Sequence, residues 1–264
     1  MKLAIGRYWI NTVVVLLCFA AGILFCAGQP DVNPHPPMVS KSRSECLRDL
    51  ARYNKILKAN PNDVGTLIDR AWTYGRLHMY QEDVKDCSKA LQLDPSRAVA
   101  YAERSYALSK IGNYVVALLD IDKAIAMDPF NYAFIAKRAA VYNCMHDYYR
   151  AVKDCDVSIK MDDSYSVAYF HRGWAHAQSD REDLALEDFS KAIELKPDDV
   201  ASHFNRGVIY GNKNLWYKAK KDFEAVLRIE PDDAAAKSRL EFVNSKVTFI
   251  TPLKPSAHYR GAED

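Results

Sequence analysis

A chain of 264 residues that is 49% hydrophobic and 27% charged holds enough apolar side chains for one or two packed domains, which excludes a wholly disordered polymer. Lys2 and Arg7 are the only charges in the first 28 residues, so the 36 basic residues fall to 34 against 34 acidic ones over the rest. With no excess of one sign and no block of like charge, the chain lacks the field that steers proteins onto nucleic acid or an anionic membrane surface.

Residues 1–28 read as a signal peptide or signal anchor. Lys2 and Arg7 precede an uncharged run from Val13 to Ala27, and Cys26-Ala27-Gly28 offers small residues at a cleavage site before Gln29. Adding Tyr8 to Thr12 lengthens the apolar stretch to about 20 residues, enough to span a bilayer, so membrane anchoring is the alternative to cleavage. Either way the expected location is exported: periplasmic, secreted, or anchored with the remainder outside the cytoplasm. Residues 29–44 carry Pro30, Pro34, Pro36 and Pro37 and little to bury, the composition of an extended linker. Ser42 and Glu45 form a capping-box pattern, and Cys46, Leu50, Tyr53 and Leu57 then make one apolar stripe, so residues 45–63 are expected to hold a capping helix.

From there a 34-residue period runs through the chain. Pro61, Pro95, Pro129, Pro197 and Pro231 fall on one ladder, with Asp163 on the rung between Pro129 and Pro197. Proline just past a helix end stops the helix because it cannot continue the hydrogen-bond ladder. Five modules follow, at 64–97, 98–131, 132–165, 166–199 and 200–233. Their eighth residue is always small (Ala71, Ser105, Ala139, Gly173, Gly207), and their twentieth is Asp83 and then Ala117, Ala151, Ala185 and Ala219. The twenty-fourth is Cys87, Ile121, Cys155, Phe189 or Phe223. These spacings put two apolar stripes on two successive helices. A turn marked by Gly112, Asp147, Asp180 and Asn214 separates them. In an antiparallel hairpin the eighth residue stands level with the twenty-fourth, so small faces large and the helices approach closely. Ala236, Leu240, Val243 and Val247 make a narrow last stripe, giving a C-terminal capping helix at 234–247, and residues 248–264 are a tail.

This pattern resembles the tetratricopeptide repeat, and the resemblance covers roughly Glu45 to Val247. It implies an all-α, right-handed superhelical solenoid of antiparallel helix hairpins, with a concave groove lined by the first helix of each module. The seventh residue, often Leu in the family, is Arg in every module here: Arg70, Arg104, Arg138, Arg172 and Arg206. The twenty-third is always Asp: Asp86, Asp120, Asp154, Asp188 and Asp222. Each Arg stands nearly level with its Asp across the hairpin, so a ladder of structural ion pairs is expected.

By the same resemblance the groove is lined by Ile68, Trp72, Arg76, Glu103, Tyr106, Lys110, Lys137, Asn143, Phe170, His171, Trp174, Phe204, Asn205 and Asn212. Family members that clamp a chaperone's terminal carboxylate carry Lys and Asn where this chain has Ile68 and Trp72, Asn in place of Glu103, and Lys and Arg in place of Ala133 and Lys137. That clamp is missing. No GxSxG, HExxH, CxxC or phosphate-cradling glycine loop is present, and no cofactor or metal is expected. His171 and His176 are five residues apart and do not share a helix face. The reading is a non-enzymatic scaffold that binds a partner peptide or helix in its groove, as an envelope or secretory-compartment adaptor. The alternative is a structural protein that self-associates through its repeat ends.

Overall fold

The computed structural model describes residues 43–250. The expected signal segment, most of the linker, Ser42 and most of the tail lie outside the described residues. The membrane-anchoring expectation is corrected: among the described residues no helix is long and apolar enough to cross a membrane.

The described residues form twelve helices and no strand. Helix α1 is Arg43–Ala59. Five hairpins follow, pairing α2 (Val64–Arg76) with α3 (Tyr80–Leu93), α4 (Ala98–Lys110) with α5 (Tyr114–Met127), and α6 (Tyr132–Cys144) with α7 (Tyr148–Met161). The last two pair α8 (Ser166–Ala177) with α9 (Glu182–Leu195) and α10 (Val200–Asn212) with α11 (Trp216–Ile229). Helix α12, Ala234–Ile250, closes the stack and runs three residues past Val247, stopping short of Pro252. The fold is an all-α solenoid of stacked antiparallel hairpins.

Each hairpin turns through one residue in the left-handed region: His78, Gly112, His146, Asp180 and Asn214, with φ between 57° and 84°. The amide after it bonds back to the carbonyl five residues earlier, as in Met79 to Tyr74 (2.9 Å) and Asp147 to Tyr142 (2.9 Å), the closure of a Schellman motif. In the third module this residue is His146. Asp147, expected to mark the turn, instead caps α7 by accepting from the Arg150 amide (3.0 Å). His78 and His146 are unusual left-handed residues, and each shares a 2.7 Å hydrogen bond with the tyrosine two residues on, Tyr80 or Tyr148. That bond offsets part of the backbone cost.

Small does face large across the hairpins. A β-carbon built on Gly173 would lie 3.1 Å from the Phe189 ring, and one on Gly207 3.1 Å from the Phe223 ring. Both rings are buried, so the glycines set how close the paired helices come. Successive first helices also touch one another, while the second helices make no comparable contact. The first helices therefore form the tighter, inner row and the second helices fan outward.

The arginines hold more than one hairpin each. Arg70, Arg104, Arg138, Arg172 and Arg206 donate to Asp86, Asp120, Asp154, Asp188 and Asp222 over 2.6–2.8 Å at the closest atoms. Their remaining Nη1 groups reach sixteen residues back, to Asn54, Ser88, Asp122, Asp156 and Ser190, over 2.7–3.2 Å. Every arginine thus joins its own second helix to the preceding one. Burial alone would raise the Asp222 carboxyl, but hydrogen bonds from Arg206 and His203 outweigh it and hold the group below its ordinary range.

Candidate functional site

The inner row carries most of the expected groove residues. On α2, the Arg76 guanidinium sits 5.1 Å from the centre of the Trp72 ring. On α4, the Lys110 ammonium sits 5.1 Å from the centre of the Tyr106 ring, and Tyr80 packs edge-on to Tyr106 at 6.4 Å. Cation-over-ring pairs of this kind hold long side chains in place along a face. Lys110 also lies 3.6 Å from the Cys144 sulfur. All four cysteines among the described residues are unbonded, and Cys144 is the one that is not fully buried.

Below this surface lies a polar layer. Lys137 on α6 forms an ion pair with Glu103 on α4, one repeat away at the next rung. Glu103 is buried, so its carboxylate is engaged before any ligand arrives. Asp83 is 1% exposed and near both. Burial, reinforced by the Glu103 charge, pushes its carboxyl up to about 8, with only the Cys87 thiol donating to it (3.3 Å) and Lys137 opposing the shift. Burial likewise raises the Tyr106 hydroxyl to about 12. It lowers the His171 imidazole to about 3, with Lys110 and Lys137 adding to the effect, so the ring is neutral.

Asn143 is buried between modules. Its Nδ2 donates to the His171 carbonyl (2.9 Å), which fixes the amide orientation and leaves Oδ1 buried with no partner. An unpartnered buried acceptor costs free energy until a donor reaches it. Asn205 is spent on its own helix, donating to the Ala201 carbonyl (2.8 Å). Phe170 and Phe204 lean onto Phe189 and Phe223 with ring centres 6.0 and 5.7 Å apart, which anchors them on one side. Ile68 is largely buried, packed in the apolar core with Leu57 and Leu67. Asn212 is exposed at the end of α10.

The curvature brings distant modules together. A cavity of about 500 Å³ is bordered by Arg76 from the first hairpin, Phe204 and Asn205 from the fifth, and Lys196 and Asp198 beside them. Arg76 and Asn205 are 129 positions apart in the chain, and no local pattern could have paired them. The histidines are accounted for separately. His203 contacts Asp222 and the Pro197 carbonyl, both at 3.1 Å, and burial lowers His176, whose Nε2 is 3.9 Å from Asp188. Among the described residues no group of three potential ligands is placed to hold a metal.

Comparison with known proteins agrees with this geometry. Residues 166–199 and 200–233 each match a tetratricopeptide repeat model. A tetratricopeptide repeat protein from Parabacteroides merdae superposes with a TM-score of 0.67 at 17% identity, over 76% of this chain and 78% of that one. A thermophilic TPR protein from Thermus thermophilus gives 0.63 at 15% identity, over 69% of this chain and 99% of that one. Such likenesses speak to the fold. No curated protein sequence matches the chain. Residues 166–233 thus carry two tetratricopeptide repeats, and the other described hairpins share their stacked arrangement.

Proposed function

We propose that the chain is a non-enzymatic scaffold whose concave inner face binds an extended peptide or a helix of a partner protein. The supporting observation is the inner row itself, where tryptophan and tyrosine are braced by cations, as in Trp72 with Arg76 and Tyr106 with Lys110. Tryptophan, tyrosine and arginine dominate binding hot spots because large rigid rings bury much area at little conformational cost. Trp174 extends the row on α8. In a Trp72→Ala/Trp174→Ala variant, partners captured from the native compartment are expected to bind about 10- to 100-fold more weakly. Helix content by circular dichroism should stay at the wild-type level. Capture of the same proteins at unchanged affinity would end the groove reading.

Export belongs to this proposal. A charged start at Lys2 and Arg7, the apolar run to Ala27 and the small residues of Cys26-Ala27-Gly28 support removal of the leader before Gln29. Terminal sequencing of the protein from its native source should then begin at Gln29. A mature chain that retains Lys2 and Arg7 would contradict cleavage.

A further inference from the structure

Away from the groove, the second helices present the outer surface, and one of them breaks their rule. At the outermost register α3, α7, α9 and α11 place Lys85, Lys153, Glu187 and Lys221, all exposed. Helix α5 places Leu119 there, 66% exposed, and one turn earlier Val115, 73% exposed, where α3 has Gln81 and α7 and α11 have the exposed Tyr149 and Tyr217. Val116 and Met127 widen the same surface, and Phe130 stands just beyond the helix end. Single exposed apolar side chains need no explanation, but a contiguous set on one helix marks an interaction surface.

Among the described residues the carboxylates around it are paired, whereas two of the three nearby lysines lack a carboxylate partner. Lys85 on α3 pairs with Glu82 of its own helix at 3.8 Å, while Lys123 on α5 and Lys153 on α7 are exposed at or beside this register. Lys123 and Lys153 touch the rings of Tyr101 and Tyr149, and among the described residues neither has a carboxylate in bridging distance. The exposed acids nearby are already taken, Asp122 by Arg138 and Asp156 by Arg172. We propose that the outer face of α5 is a second docking surface, for an amphipathic helix of a partner protein whose apolar stripe is bordered by Glu or Asp. A second copy of this chain fits poorly. Its own α5 would set lysines against lysines, and its exposed C-terminal cap offers Lys237, Arg239 and Lys246 against Glu241.

Two synthetic 18-residue helices test this, with the same leucine stripe and either glutamate or lysine borders, titrated against the full chain by fluorescence anisotropy. The glutamate-bordered peptide should bind at least about tenfold more tightly than the lysine-bordered one. Leu119→Lys, which copies α3, α7 and α11 at this register, should weaken that binding at least about tenfold with no change in melting temperature. Val115→Gln, copying Gln81, is the second variant should the first destabilise the fold. The Trp72→Ala/Trp174→Ala variant should bind as the wild type does, which separates this surface from the groove. Equal binding of both peptides, no effect of either outer-face variant, or loss of binding in the groove variant would overturn the proposal. So would a concentration-dependent dimer abolished by Leu119→Lys, which would assign the face to a second copy.

Discussion

Asp83→Ala is expected to stabilise the folded chain by about 3 kcal/mol at pH 8.5 and by far less at pH 4, measured as urea midpoints across that range. The other four hairpins carry Ala117, Ala151, Ala185 and Ala219 at this register, so the backbone already accommodates the substitution. The carboxyl is 1% exposed and faces Glu103 on α4 as well as Asp86 and Cys87 on its own helix, while the ammonium of Lys137 on α6 is committed to Glu103. Burial and the Glu103 charge raise its pKa from 3.8 to about 8. Below the lower value both folded and unfolded chains hold the proton, and the group costs nothing electrostatically. Between the two values only the folded chain holds it, so stability falls as pH rises. Above about 8 the folded form ionises too, and the penalty is full and constant. The alanine variant lacks this slope. Parallel wild-type and variant curves between pH 4 and 8.5 would mean that Asp83 is not its source.

Arg138→Leu should destabilise the chain by about 3–5 kcal/mol, because it strands a buried carboxylate and cuts a link between hairpins. Arg138 donates to both oxygens of Asp154 (2.7 and 2.8 Å) and to Asp122 on the previous second helix (2.9 Å). Asp154 is 8% exposed and would keep its charge without its counterion. Adding Asp154→Leu should recover a large part of the loss, since apolar groups of similar size replace a buried ion pair at little cost. Thermal or urea unfolding of the two variants reads the difference. A loss below about 1 kcal/mol in the single variant would show the ladder to be ornamental to stability.

The fold was legible because its punctuation is periodic. Prolines at one spacing, small residues facing large ones, and a level Arg–Asp pair in each module all repeat, and repetition lets a weak local signal be read five times. The second set of arginine bonds was hidden by its chemistry. The acceptors Asn54, Ser88, Asp122, Asp156 and Ser190 share a register but not a residue type, so no pattern announces them. His78 and His146 escaped for a related reason: the left-handed turn residue is usually glycine or asparagine. The inner face was legible as a set of positions, but its energetics were not. Whether Ile68 sinks into the core, or Glu103 is neutralised by Lys137 one repeat away, depends on the stacking angle between modules.

The arginine ladder also gives the stack a direction. Links run from α2, α4, α6, α8 and α10, each clasping the module before it, but α12 has Leu240 at the register where the next arginine would stand. Among the described residues Glu224, level with Ser190 one repeat on, pairs with Lys220 of its own helix at 3.8 Å. In the terms of a one-dimensional chain of coupled units, every boundary up to α10 carries an arginine clasp and the last does without one. The C-terminal cap is therefore held by apolar packing in place of a clasp, with Leu240 and Val243 seated against Phe223.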